Sequence, residues 1–484
     1  MQPISSFSSA ASYLGGSDEA STGAGYGRVR PAALPQRTPP AQGAAIPLSD
    51  IVSALSFALD LTEDAVPGHA VRSCLLGMQM ANALGLREGK RADLYYALLL
   101  KDIGCSSNSA RMCQIIGGDD RQIKSAVKLE DWTRPSLSSV KMLWNSVLPG
   151  SGALSRSRRI LRTACRQRQN NAELIGLRCE RGANIVAKIG LTFETGDAIR
   201  HLDEHWDGSG YPDHLRGEEI PLDSRILNLA QHLDVFCSER GPDAALEVVR
   251  DRSGRWFDPG LVKVVESLAR RKRLWTSSGI SEDRAKVLAL APAMLGETSL
   301  AQIDTICEAF ADVVDAKSSF TYQHSLGVTK AASLIAKALG LDEVRQRLVY
   351  RAALLHDLGK LRVPNCILDK PGKLTDEEWK VVREHPGLSQ QILGRIAGFE
   401  EISLVAGQHH EKLDGTGYPL GLSAAELSVE ARILAVADVY GALSETRPYR
   451  GPLELSKIVE IMSELIPHKV DRACFEALVA GLKT

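Results

Sequence analysis

The 484-residue chain lacks several features that would narrow its function at once. Its nine cysteines form no C-x-x-C pair, which argues against a zinc ribbon, and their scattered positions suggest no disulfide framework. A formal net charge of -1 provides no general attraction to nucleic acid or to an anionic membrane, and neither partner is expected. No apolar run is long enough to span a bilayer and the N-terminus lacks a secretory signal pattern, so we expect a cytoplasmic protein.

Aromatic residues make up only 5% of the chain, beside 44% apolar residues, a composition that favours a soluble, helix-rich protein. From Ile51 onward, apolar residues recur at helical spacing and strand-like alternation is nearly absent. This pattern predicts an all-α fold class. Residues 1–45 are rich in Ser, Ala, Gly and Pro and lack the periodicity, so they are predicted to form a disordered tail.

Two parts of the chain resemble each other, which predicts a tandem duplication. The matching segments, in order, are His69 and His324, residues 102–104 and 357–359, residues 206–212 and 413–419, and residues 224–227 and 431–434. Charged residues and a Ser-Ser-Gly stretch interrupt the helical periodicity between the two parts. We therefore predict a first copy over residues 46–270, a linker over 271–295 and a second copy over 296–484.

The two copies differ at the positions that could bind a cation. The alignment places Lys101 opposite His356, Arg178 opposite His385, Leu202-Asp203 opposite His409-His410, and Gln231 opposite Asp438. An ammonium or guanidinium group cannot ligate a divalent cation and repels it. The first copy is therefore predicted to be metal-free and non-catalytic. It also contains a long insertion with the basic run Arg156–Arg168, which we interpret as a helix with a solvated face.

The second copy contains seven residues of the types that bind divalent metals: His324, His356, Asp357, His385, His409, His410 and Asp438. An aspartate can bridge two cations while each imidazole serves one, as a two-metal hydrolytic centre requires. Asp438 lies in an apolar helical stretch, where an unpaired carboxylate is costly to bury unless a cation compensates it. One histidine alone is more often a hydrogen-bonded core residue, so the prediction of a metal site depends on the whole set.

Residues 299–455 resemble the HD-GYP phosphodiesterases, a subgroup of the HD phosphohydrolase superfamily. The motifs that carry the resemblance stand in the family's order: residues 356–360 (HDLGK), 409–419 (HHEKLDGTGYP), 431–440 (ARILAVADVY) and 447–450 (RPYR). The resemblance implies two tandem HD-type helical bundles, the first degenerate. It further implies a pair of divalent metal ions, iron or manganese, and hydrolysis of the bacterial second messenger cyclic di-GMP to pGpG or on to GMP.

The resemblance also implies a role for each motif residue. The seven residues above would be the metal ligands, with Asp357 bridging, and Asp357 and Lys360 would be catalytic. Lys360 would bind a substrate phosphate, Arg447 and Arg450 would be outer phosphate or guanine contacts, and Tyr418 would line the nucleotide pocket. The alternatives are solvated surface charges for the three cations and a purely architectural loop for Tyr418, since the first copy has Tyr211 without the ligands.

Two departures from the family's pattern leave other functions open. Residues 318–323 lack the glutamate of three-metal members, so two metals are expected, and Gly441 replaces the family's usual second aspartate, which is expected to weaken or change nucleotide preference. One alternative is a regulatory protein that binds a cyclic dinucleotide and acts on a signalling partner or as a homodimer. Another is a hydrolase for a different nucleotide, such as a cyclic GMP-AMP hybrid.

Overall fold

The computed structural model describes residues 46–131, 137–148, 151–275, 279–292, 297–318, 323–446 and 451–483. The predicted tail, together with Arg447 and Arg450, lies outside the described residues. The regular structure of the described residues is helical except for two short strands, which confirms the all-α prediction. Their one sheet pairs Ile46–Pro47 with Glu297–Thr298 in antiparallel register, and it joins the start of the first copy to the start of the second. No helix in the described ranges is both long and apolar enough to cross a bilayer.

The first copy is a bundle of α-helices with three short 3-10 turns. Its helices are Leu48–Asp60, His69–Ala83, Glu88–Leu100, Ser109–Ile116, Asp120–Leu129, Leu137–Ser146, Ala153–Cys165, Gln167–Ile189, Phe193–Arg200, Leu222–Arg240, Pro242–Asp251 and Pro259–Arg270, and its 3-10 turns are Leu61–Glu63, Cys105–Asn108 and Gly217–Glu219. The predicted linker contains a further helix, Ile280–Ala289. The basic helix Ala153–Cys165 has no buried residue, as a solvated face requires.

The second copy repeats this order without the insertion. Its helices are Leu300–Asp315, His324–Ala338, Glu343–Leu355, Asn365–Leu368, Asp376–Arg383, His385–Leu393, Glu400–Gly407, Val429–Ser444, Leu455–Glu464 and Arg472–Gly481, with 3-10 turns Leu358–Arg362 and Ala424–Glu426. Local sequence sets several of the helix starts. Ser299 and Thr375 each form a capping box, and the Ser428 hydroxyl accepts the N–H of Ala431, so exposed backbone donors are satisfied at these ends.

Matching hydrogen bonds support the duplication at atomic detail. The Asp60 carboxylate accepts the backbone N–H groups of Gly68 and Ala70 at 2.8 and 3.0 Å, where the helix containing His69 begins. Asp315 accepts the backbone N–H of Ser325 at 3.1 Å at the equivalent start in the second copy. Both helices therefore begin on a buried aspartate ten residues before the bonded amide.

A second shared contact fixes the alignment across the site. A Cβ atom on Gly104 would collide with the backbone carbonyl of Arg178, and a Cβ atom on Gly359 would collide with the backbone carbonyl of His385. Both glycines therefore permit the same close approach of two helices. The structure thus places Arg178 at the position of His385, as the sequence alignment predicts.

The two copies share one continuous hydrophobic core, which includes Leu55 and Leu98 from the first copy and Phe310 and Leu354 from the second. The insertion also reaches the second copy. The Asp120 carboxylate accepts the backbone N–H of Asn365 at 2.9 Å and lies 3.7 Å from the ammonium of Lys317. The boundaries drawn from the sequence stay predictions, because the core runs across them.

Candidate metal centre

The predicted ligands are brought together because most of them stand at helix ends. His324 and His385 begin their helices, His356 directly follows Glu343–Leu355, and His409-His410 follow Glu400–Gly407. Only Asp438 lies within a helix, Val429–Ser444. The side chains are almost completely buried, except that of His410, which is 26% exposed. Among the candidate ligands, His410 is therefore the most accessible to solvent.

The candidate ligands form two groups with Asp357 between them. The donor atoms of His324, His356 and Asp438 lie within 4.8 Å of one another, and so do those of His385, His409 and His410. The Asp357 Oδ2 atom lies 3.6 Å from His324 Nε2 and 3.4 Å from His356 Nε2. Its Oδ1 atom lies 3.2 Å from His385 Nε2 and 3.7 Å from His409 Nε2. Each carboxylate oxygen thus faces one group, the geometry of a bridging ligand.

The imidazole rings are held with Nε2 toward the cavity. The Nδ1 atoms of His356, His385 and His409 lie 2.7, 2.6 and 2.7 Å from the backbone carbonyl oxygens three residues earlier. A carbonyl only accepts hydrogen bonds, so Nδ1 carries the proton and the Nε2 lone pair is directed inward. This arrangement is typical of metal-ligating histidines.

Burial and charge set the protonation states that a metal site needs. Burial lowers the pKa of His356, of His409 and, to about 3, of His410, so these rings are neutral near pH 7. Burial acts to raise the pKa of Asp357, but the ammonium of Lys360 and the hydrogen bond with His385 hold it well below its usual value. Burial likewise acts to raise the pKa of Asp438, but the neighbouring imidazoles of His324 and His410 hold it well below normal.

These donors fit a pair of divalent cations. The buried Nε2 atom of His356 makes no hydrogen bond among the described residues, as expected for an atom that awaits a cation. Neutral imidazoles and ionised carboxylates suit iron, manganese or zinc. Each cation would have four donor residues, the three of its own group and the shared Asp357. The set is therefore chemically able to hold two metals.

Lys360 and Tyr418 border the centre. The Lys360 ammonium pairs with Asp357 Oδ2 at 2.5 Å, and its side chain is 17% exposed. The ring centroid of Tyr418 lies 4.8 Å from that of His410, beside the exposed edge of the cavity. Arg383, which the sequence did not indicate, places its guanidinium carbon 5.2 Å from the Tyr418 ring centroid. The predictions for Arg447 and Arg450 cannot be placed, because both residues lie outside the described ranges.

The Gly-Tyr-Pro loop has the same construction in both copies. The Glu411 carboxylate accepts the backbone N–H groups of Leu420 and Leu422 at 2.7 and 2.9 Å, and Glu204 accepts that of Asp213 at 2.6 Å. A Cβ atom on Gly417 would lie 2.5 Å from the Cα atom of Glu411, so only glycine allows this packing. The loop shape therefore serves the fold, and a nucleotide contact by Tyr418 stays a prediction.

In the first copy, side-chain cations stand where the second copy has its imidazoles. Lys101 pairs with Asp102, the counterpart of Asp357, and Arg178 pairs with Asp203. Lys128, from the insertion, pairs with Glu63 and lies 3.6 Å from Asp102. Glu63, Asp102 and Cys105 are close enough together to suggest a cation site, but the two lysines already neutralise the carboxylates. This arrangement supports the prediction of a metal-free first copy.

Comparison with known proteins decides the family. The sequence profile described as "HD domain" matches residues 141–261 and 308–474. A relative from Vibrio cholerae serotype O1, 3′3′-cGAMP-specific phosphodiesterase 3, is 42% identical over 441 residues, 90% of this chain and 95% of the relative. The chain belongs to the HD-domain family.

Further relatives confirm the resemblance to the HD-GYP subgroup. The crystal structure of the V. cholerae cyclic GMP-AMP-specific phosphodiesterase V-cGAP3 aligns with a TM-score of 0.62 and 36% identity, over 91% of this chain and 98% of that chain. The cyclic di-GMP phosphodiesterase response regulator RpfG of Xanthomonas campestris pv. campestris is 39% identical over 156 residues, 32% of this chain and 41% of the relative. The likeness to V-cGAP3 extends over both copies, whereas the match to RpfG is shorter than either copy.

Proposed function

We propose that the second copy is a divalent-metal-dependent phosphodiesterase that opens 3′3′-cyclic GMP-AMP to a linear dinucleotide. The observation that carries the reaction class is the position of Asp357, whose two oxygens face separate groups of imidazoles. The choice of substrate is supported by the relative that matches 90% of this chain, which is named as specific for this cyclic dinucleotide. It replaces cyclic di-GMP, the substrate expected from the motifs, as the first candidate.

The residues divide into two sets of ligands with one shared member. His324, His356 and Asp438 would hold one cation, His385, His409 and His410 the other, and Asp357 both. Two bound divalent cations would supply polarisation of the scissile phosphate and a nucleophile from water near neutral pH. Iron and manganese are the metals that the HD-GYP resemblance favours.

The residues at the rim would bind and orient the substrate. The Lys360 ammonium pairs with Asp357 in this structure. With cations neutralising that carboxylate, the ammonium would bind a phosphate oxygen of the substrate. Tyr418 would lie against a base or ribose beside His410, and Arg447 and Arg450 would contact the outer phosphate or guanine. Arg383 joins this group because its guanidinium lies over the Tyr418 ring.

Cyclic di-GMP is the second candidate substrate. The relative RpfG, which is named for it, is 39% identical over 156 residues. The HDLGK and GYP motifs, which carried the original expectation, do not separate the two dinucleotides. Gly441, which departs from the usual family residue, is a reason to expect a changed preference.

A substrate panel tests the proposal. The full chain, loaded with Mn²⁺ or with Fe²⁺ under anaerobic conditions, is incubated with 3′3′-cyclic GMP-AMP, cyclic di-GMP or cyclic di-AMP, and products are separated by liquid chromatography. We expect kcat/KM for 3′3′-cyclic GMP-AMP to exceed that for cyclic di-GMP by about tenfold or more. The reverse order would establish the second candidate, and binding without product would establish the sensing alternative.

A matched pair of variants links turnover to the second copy. His410→Ala removes a candidate ligand and should abolish turnover. Asp203→Ala changes the aligned position of the first copy and, once circular dichroism shows the variant to be folded without its Arg178 pair, should leave kcat within about twofold, because that position holds no metal ion in this account. Absence of hydrolysis of every dinucleotide with either metal would remove the proposed function.

A further inference from the structure

The orientation of His324 sets it apart from the other histidines of the centre. Its Nε2 atom faces Asp357 and Asp438 at 3.6 and 3.5 Å, as a ligand atom should. Its Nδ1 atom lies 2.8 Å from Oε2 of Glu445, a side-chain carboxylate, whereas the Nδ1 atoms of His356, His385 and His409 face backbone carbonyls. The Nδ1 side of the His324 ring therefore faces a side-chain carboxylate rather than the backbone.

The first copy orients its equivalent histidine with a different residue. The Nδ1 atom of His69 lies 2.7 Å from Oδ2 of Asp234, and the guanidinium of Arg72 binds the same carboxylate at 2.7 and 3.0 Å. In the alignment that pairs Gln231 with Asp438, Asp234 corresponds to Gly441 and Ser238 corresponds to Glu445. Each copy thus directs one carboxylate at this histidine. In the first copy it comes from Asp234 within the helix Leu222–Arg240, and in the second from Glu445, four aligned positions later and just past the end of Val429–Ser444.

The packing around Gly441 excludes an aspartate at this position of the second copy. A Cβ atom there would lie 2.8 Å from the Cγ2 atom of Val328, which leaves no room for an aspartate. The residue of the first copy that aligns with Val328 is Ser73, which is smaller.

Gly327, directly before Val328, also differs from its counterpart in the first copy in a way that makes room for Glu445. A Cβ atom on Gly327 would lie 3.2 Å from Oε1 of Glu445, and the aligned residue is Arg72, which in the first copy binds Asp234. A glycine here gives the longer glutamate side chain room to reach the histidine. Three neighbouring differences between the copies therefore accommodate the same relocation.

We propose that Glu445 is the positioning residue of the first metal position, formed by His324, His356 and Asp438, and that it replaces the aspartate absent at Gly441. By accepting a hydrogen bond from Nδ1–H of His324, Glu445 fixes the ring so that Nε2 carries the lone pair into the centre. Gly441 is then a rearrangement that preserves the centre rather than a loss. This role rests on the proposed metal-dependent function.

Metal affinity tests this role independently of turnover. Wild-type protein and variants are equilibrated with buffered Mn²⁺ and their bound metal is measured by inductively coupled plasma mass spectrometry, with folding checked by circular dichroism. Glu445→Ala should weaken one of the two ions about 10- to 100-fold and leave the other unchanged. Glu445→Gln, which keeps the shape of the side chain, should lie between Ala and wild type.

A relocation variant separates positioning from general stability. Glu445→Ser, Gly441→Asp and Val328→Ser together give the second copy the arrangement of the first, and this variant should recover most of the metal affinity that Glu445→Ala loses. Asp234→Asn, the matched change in the first copy, should leave metal content at the wild-type value.

The outcomes distinguish the two proposals. Three results would each overturn the role of Glu445 alone, provided that the wild type binds two ions. These are unchanged metal affinity in Glu445→Ala, no recovery of affinity in the relocation variant, and an equal loss of affinity in Asp234→Asn. A wild-type chain that binds no divalent metal at all would overturn the proposed function as well.

Discussion

The two copies solve the same electrostatic problem in different ways. Each buries an aspartate at the end of its central helix, Asp102 in the first and Asp357 in the second. The first copy neutralises it with its own side chains, Lys101 beside it and Lys128 from the insertion. The second has one ammonium beside it, that of Lys360, and otherwise surrounds it with imidazoles whose Nε2 atoms point inward.

The two copies share the same helical framework but place different side chains around the buried aspartate. The helix starts, the close approach at Gly104 and Gly359 and the Gly-Tyr-Pro loop are common to both copies. A buried carboxylate must be compensated in either case, because an unpaired charge is costly to bury. Covalently attached cations would leave the first copy as a scaffold, whereas exchangeable cations would make the second copy a catalyst.

The largest expected effect comes from removing the bridging position. The double variant His356→Ala/Asp357→Ala should lose at least about 10³-fold in kcat/KM, because neither cation keeps its full set of donors. Steady-state kinetics on metal-loaded protein measures the loss. Near wild-type turnover in a folded variant would mean that the reaction occurs elsewhere on the chain.

Removing the buried ammonium of Lys101 should instead destabilise the first copy. Lys101→Met leaves Asp102 with only the more distant Lys128, and the free energy of unfolding should fall by about 3–5 kcal/mol. Urea denaturation monitored by circular dichroism provides the value. If Lys101→Met is as stable as wild type, the lysine is not the compensating charge.

The pH dependence of stability should also separate the copies. Burial and Asp102 act to raise the pKa of Glu63, but Lys128 and Arg178 lower it overall to about 2. A depressed pKa contributes stability above the unfolded value of about 4.3, and that contribution is lost as the pH falls toward 2. Glu63→Gln should therefore cost about 2–4 kcal/mol near pH 6, and the cost should shrink steadily through this window.

Unfolding free energies of wild type and Glu63→Gln, measured in urea at several pH values, test this prediction. A constant difference from pH 6 to pH 3 would show that the carboxylate is not held ionised by its neighbours.

The smallest expected effect concerns the shared loop. Tyr418→Leu should raise KM about fivefold to tenfold, because loss of one aromatic contact with a base removes roughly 1 kcal/mol or more. Tyr211→Leu, at the aligned position of the first copy, should leave KM unchanged. Equal kinetics for both variants would make the loop purely architectural.

Helical periodicity and repeated motifs predicted the all-α fold and the aligned helices, because both patterns are local in the sequence. The same motifs predicted which imidazoles and carboxylates meet, and the structure brings His324, His385 and Asp438 to one cavity. The sequence did not reveal the role of Glu445. This carboxylate stands four positions after the one expected from the alignment, so it matches no motif, although it reaches the Nδ1 atom of His324.

The internal cations show a second limit of the sequence. Lys101 was predicted from the alignment, but Lys128 lies in the insertion, which has no counterpart in the second copy. Only the packing of the helix Asp120–Leu129 beside Glu63 brings its ammonium to the buried acids. Arg383 was missed for a similar reason, because its contact with Tyr418 joins separate segments.

Metal content of the purified full chain is the most direct test of the contrast between the copies. After equilibration with Mn²⁺ and removal of loosely bound ions, inductively coupled plasma mass spectrometry should find two ions per chain in wild type. The double variant His356→Ala/Asp357→Ala should bind neither tightly, because the first copy offers no site. No bound metal in wild type, or undiminished metal in the double variant, would contradict the account.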